Sequence, residues 1–224
     1  MPEEPEVFVS ATESTKPVKS RAPLQGRSKA SLERMLATAR SLMLERGNED
    51  FTLQEVSKRG KVSIGSIYLR FDSKDSLVMA VLQEAMAQLD ADETAMIERL
   101  KQDSQDLPDF VASYVQDYAE ILRLHAPLLR LTMARAEHDP EISNTGKQAA
   151  ARAVRQAVEA FLAFGDEIKA PDPALSAASA HHIIFATLAR QLSLGSTGES
   201  IANYDWAVLK RELTRMCIAY LVTA

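Results

Sequence analysis

A chain of 224 residues, 46 % hydrophobic and 25 % charged, can bury a core without staples and has the balance of an ordinary soluble globular protein. Its single cysteine, Cys217, excludes an internal disulfide framework and suits the reducing cytoplasm, while no apolar run reaches signal-peptide or bilayer-spanning length, so no membrane partner is expected. The net charge of −5 conceals a division: residues 16–74 hold 13 Lys+Arg against 6 Asp+Glu, whereas residues 75–224 hold 13 against 21, and attraction for phosphate acts locally, within a Debye length.

Residues 1–27 carry Pro2, Pro5, Pro17 and Pro23 without periodicity and read as a disordered arm. Its second half is basic (Lys16, Lys19, Arg21, Arg27), either a plain flexible tail or an arm for a phosphate backbone or minor groove. A first helix is predicted from Ser28 to Arg46, with Leu32, Met35, Leu36, Ala39 and Met43 on one stripe and Gly47 at its end. A short second helix, Leu53–Arg59, starts at a Thr52-x-x-Glu55 capping box. After a turn at Gly60-Lys61, a third runs from Ser63, its candidate cap, to Phe71. Two short helices about a glycine-containing turn make a helix-turn-helix, with Val56, Val62, Ile67 and Phe71 as its small core.

Asp72-Ser73-Lys74 then opens a long helix towards Leu100. Five further helices are predicted over 107–124, 127–137, 141–164, 173–194 and 205–222. Their breaks fall at Pro108, Pro127, Pro140, the Pro171/Pro173 pair and Gly195 with Gly198. The expected fold is therefore all-α with about nine helices. Residues 28–74 form a three-helix DNA-binding unit and residues 75–224 a helical body.

The run Gly60-Lys61-Val62-Ser63-Ile64-Gly65-Ser66-Ile67-Tyr68-Leu69-Arg70-Phe71-Asp72-Ser73-Lys74 resembles the signature of the TetR/AcrR family of helix-turn-helix transcriptional regulators. The resemblance is specific over about 45 residues. In the body it extends only to length and helicity. Lys61 stands where the family has glycine, so either it adopts positive φ or the turn shifts by one residue.

The resemblance implies that Gln54, Ile64, Gly65 and Tyr68 face bases and that Ser66, Arg70 and Lys74 face phosphates. Thr52, Lys61 and Ser63 flank them at the same surface. The chemistry fits: Gly65 lets the helix approach closely, Ser66 suits a phosphate oxygen, and Tyr68 can pack on thymine methyls or sugar. Each has an alternative: Ile64 packed inward, Tyr68 in the head core, Arg70 as a solvated charge.

No His-x-x-x-His, Cys-x-x-Cys, Gly-x-Ser-x-Gly or phosphate-binding glycine loop occurs, so neither catalysis, a metal nor a cofactor is expected. Glu137-His138-Asp139 lies at a helix end, where neighbouring side chains diverge. By family resemblance the body holds a cavity for an unidentified small-molecule effector. Tyr114, Tyr118, His125 and Phe185 are candidates near it, with core packing as the alternative for each. The last two helices are implied to form a homodimer through Ala189, Leu192, Leu209, Leu213, Met216 and Tyr220.

The resulting reading is a cytoplasmic regulator, a repressor released from near-palindromic double-stranded DNA by its effector. The competing readings are a ligand-independent DNA-organising protein, a protein-interaction adaptor, and a helical enzyme using Glu137 or His138.

Overall fold

The structure, a computed structural model, describes residues 24–195 and 204–223. The basic arm and Gly198 lie outside the described residues, except that the first helix already begins at Leu24. Among the described residues there are eight α-helices and no strand: α1 (Leu24–Arg46), α2 (Leu53–Gly60), α3 (Ile64–Tyr68), α4 (Lys74–Asp103), α5 (Leu107–Ala136), α6 (Pro140–Leu162), α7 (Pro173–Gln191) and α8 (Trp206–Val222).

Local chemistry sets most of these boundaries. Thr52, Ser63, Ser73, Asp106, Asp139, Asp172 and Asp205 cap the N-termini of α2 to α8, each side chain accepting a backbone N–H of the first turn. α3 stops at Tyr68, earlier than the expected Phe71. Gly47, at φ 67°, closes α1 through its N–H to the Met43 carbonyl.

The expected break at Pro127 is absent, so α5 is one helix of 30 residues where two were predicted. Proline removes a single N–H, and no residue before Pro127 caps a new start. Leu122, Ala126 and Leu128 are buried around it and carry the helix through.

Two cores result. The head core is built by α1, α2, α3 and the first half of α4, from Met35 and Met43 through Val56 and Ile67 to Leu77, Val81 and Ala85. Leu128 of α5 also belongs to it, so the head core runs past Lys74 and rests on the body. The body core gathers Leu100, Phe110, Tyr114, Phe161, Ile184, Leu188, Leu213 and Leu221 from α4 to α8. α8 is seated on α5 by Trp206, whose indole N–H donates to Glu120 Oε1 (2.8 Å), and by Lys210, which donates to the same oxygen (2.6 Å). Among the described residues, no helix is long and apolar enough to cross a membrane.

A candidate nucleic-acid interface and a cavity in the body

The reciprocal capping box that starts α2 is complete. Thr52 Oγ1 accepts from the Glu55 N–H (3.2 Å), and Glu55 accepts from the Thr52 N–H (2.7 Å). Glu55 is also paired with Arg46; that hydrogen bond first, and the Thr52 N–H next, bring its carboxyl down to about 2.

The turn to α3 resolves the departure at Lys61, which adopts φ 50°, ψ 44° in the left-handed region. Gly60 serves a different need: a Cβ there would stand 2.8 Å from Thr38 Oγ1, so glycine lets α2 touch α1. Ser57 completes the turn, its hydroxyl donating to the Val62 carbonyl (2.7 Å).

Ser63 caps α3, accepting from the Ser66 N–H (3.0 Å) and sharing a hydrogen bond with its hydroxyl (2.7 Å). Gly65 faces outward, with no protein atom within 4 Å of where a Cβ would lie. Beside it Tyr68 is 55 % and Leu69 87 % exposed. Gln54 and Lys61 are also exposed, and Lys58 and Lys61 form no ion pair among the described residues.

Three candidates have partners within the protein. Ile64 is half-buried against the head core, the inward alternative. Arg70 donates to the Ser28 carbonyl (2.9 Å) and to the Ser28 hydroxyl, stapling the end of α3 to α1. Lys74 donates to the Glu49 carbonyl (2.9 Å), with its ammonium 5.5 Å from the Phe51 ring centre, and so braces α4 against the head.

In the body, α4, α5, α6 and α7 enclose a largely apolar cavity of about 410 Å³. A second chamber of about 350 Å³ shares its Met86, Asp90, Thr132, Ile142, Gly146 and Ala149 walls. Tyr118 and Phe185 line the main cavity. Tyr114 does not; it stacks behind Tyr118 and shares a 2.9 Å hydrogen bond with His181 Nδ1. His125 turns away, 2.7 Å from Asp92 Oδ2, because its place on α5 faces the outer side of α4.

Two polar groups on the cavity wall, Glu93 and His181, are not among the site residues expected from the sequence, where His181 reads as a buried, hydrogen-bonded histidine. Burial holds the His181 imidazole neutral, bringing it down to about 4. Burial pushes the Glu93 carboxyl up to about 7, with Asp90 nearby adding to the effect. Glu93 was detectable in principle, since it falls on the Leu89–Met96–Leu100 stripe where an apolar residue belongs.

The outer faces of α7 and α8 leave Leu175, Ile183, Met216 and Tyr220 exposed. Ala189, Leu192 and Leu209 are half-buried. Leu213 is buried in the body core and is not available to a second subunit in this arrangement. Glu137 and His138 are exposed at the end of α5, and no cluster able to hold a metal occurs among the described residues.

Residues 35–81 match the model of the bacterial regulatory proteins of the tetR family. No curated protein matches the sequence. Solved structures of the same fold include one described as a TetR-family transcriptional regulator from Mesorhizobium loti MAFF303099, 17 % identical, covering 87 % of this chain and 96 % of that one at a TM-score of 0.71. Another is a transcriptional regulator from Saccharomonospora viridis in complex with choline, 15 % identical over 88 % of this chain and 100 % of that one, at 0.67. A regulator from Rhodococcus sp. Rha1, 19 % identical, covers 85 % of this chain and 95 % of that one at 0.62. Residues 35–81 thus match the tetR family's model, and the chain as a whole has the fold of these regulators.

Proposed function

We propose that the protein is a repressor that grips a near-palindromic operator as a homodimer and is released by a small molecule held in the body cavity. The observation that carries the DNA-facing part is Gly65. A glycine within a helix costs about 1 kcal/mol relative to alanine, yet nothing inside the protein requires one here. Close approach of an outside surface supplies the reason. Around it, Gln54 and Tyr68 would meet bases, and Thr52, Lys58, Lys61, Ser63 and Ser66 would meet phosphates. Arg70 and Lys74 act indirectly, by fixing α3 and α4 in the head.

The head, residues 28–74, takes the DNA, and the body, residues 75–224, takes the ligand and the second subunit, with the first turns of α4 shared. Pairing of the exposed α7 and α8 faces would set two recognition helices about 34–36 Å apart or somewhat more, one turn of DNA. The open cavity favours ligand control over a ligand-independent DNA-organising role. A neighbour of the same fold takes choline, which supports a small-molecule effector of some kind. The site of action is the cytoplasm, with the DNA.

The test begins with selection of bound DNA from a random pool. On the selected sequence, Gly65→Ala is expected to hold or raise thermal stability while lowering affinity by about tenfold or more. Tyr68→Ala should weaken binding without loss of helicity. Wild-type affinity in both variants would overturn the assignment of this face.

A further inference from the structure

We infer that the body cavity takes a lipophilic organic cation, its substituted ammonium nitrogen seated against the Glu93 carboxylate. The inference rests on the cavity being the effector site and assigns the charge of what enters it.

The acidic groups on the cavity wall are Asp90 and Glu93 from α4 and Glu137 just past the end of α5, and no lysine or arginine lines it. The one basic side chain there, His181 of α7, is neutral and engaged with Tyr114. Arg152 of α6 lines only the adjoining chamber, 3.7 Å from Asp90. Asp90 thus has a cation nearby, whereas Glu93 has none.

Glu93 is 7 % exposed and makes no hydrogen bond or ion pair among the described residues. Buried carboxylates are ordinarily paired or hydrogen-bonded. The Tyr118 hydroxyl on the same wall is also without a partner among the described residues. An ammonium ion would satisfy Glu93. Tyr118 and Phe185 would add aromatic surface of the kind that attracts cations, and Met86, Leu89, Leu122 and Met133 would cover an alkyl or aryl group. A fatty acid or another anion of the same shape would meet three carboxyl groups and no lysine or arginine on the wall. A neutral ligand would leave Glu93 as it stands.

The experiment is calorimetric titration of the full chain at pH 8 with decyltrimethylammonium, decanoate and decanol, each below its micelle concentration. The ammonium probe is expected to bind saturably, one per chain, about tenfold or more tighter than decanoate. Glu93→Gln, whose fold is checked by circular dichroism, should lose about tenfold in affinity for the ammonium probe and none for decanol. At pH 6.5 the wild type should release a proton on binding it and the variant should not. Equal binding of decanoate, or an unchanged ammonium affinity in Glu93→Gln, overturns the charge assignment and leaves the cavity a ligand site. Failure of all three probes to bind overturns both this inference and the effector-cavity reading. Glu93-dependent binding that leaves the operator complex intact upholds the inference and refutes only the sensing role.

Discussion

A Cβ placed on Gly60 would press on Thr38 of the neighbouring helix, whereas one placed on Gly65 would meet only space. The interior of the head therefore dictates the first glycine and not the second. Lys61 between them holds a positive φ that glycine would adopt more readily. Gly60→Ala is expected to destabilise the protein by about 1–2 kcal/mol through overpacking. Adding Thr38→Ala should recover most of that loss, because it removes the clashing hydroxyl. Lys61→Gly should instead stabilise by about 0.5–1 kcal/mol. Urea unfolding of the set measures all three, and additive losses in the Gly60/Thr38 double variant would show that the close contact is not the cause.

At the level of helices, the sequence is most legible where a cap precedes a proline. Asp139-Pro140 and Asp172-Pro173 start helices because the carboxylate accepts the free N–H groups and proline occupies a position whose N–H has no partner. Pro127 follows His125-Ala126, which offers no such acceptor, so the helix passes through it and the predicted pair becomes one rod. The head motif was readable because its contacts are local. The cavity wall was not, because Glu93, Tyr118 and His181 converge from three helices whose relative rotation no periodicity encodes.

Helix α5 also carries the link between cavity and head. Arg135, near its C-terminal end, pairs with Asp75 at the start of α4 and reaches Glu49 of the α1–α2 loop at 3.5 Å. Met133 and Ala136 beside it line the cavity. Arg135→Met should accelerate amide exchange in α2 by about fivefold to tenfold while leaving α7 unchanged, a loss of about 1 kcal/mol confined to the head. Uniform loss of protection across both helices would show that Arg135 serves global stability instead of holding the head to the body.

Across the whole molecule, two buried groups oppose each other in pH. Glu93, raised from 4.5 to about 7, keeps a proton in the folded chain that the unfolded chain gives up, so its contribution to stability falls as pH rises from 4.5 to 7. His181, lowered from 6.5 to about 4, is neutral when folded and takes up a proton when unfolded, so its contribution rises between pH 4 and 6.5. The two slopes overlap from pH 4.5 to 6.5 and largely cancel there. Glu93→Gln should expose the rising limb, up to about 1.4 kcal/mol per pH unit, and His181→Asn the falling one. Unfolding measured at pH 5, 6 and 7 distinguishes them, and parallel profiles in all three proteins would refute the opposition.

The indole that anchors α8 to α5 belongs to the only tryptophan in the chain. The tryptophan component of its fluorescence, excited at wavelengths where tyrosine does not absorb, is therefore a report on the C-terminal seam and is blind to the helix-turn-helix. Followed alongside total helicity during denaturation, that one indole separates loosening of the C-terminal scaffold from melting of the head, with no dye attached and no residue changed.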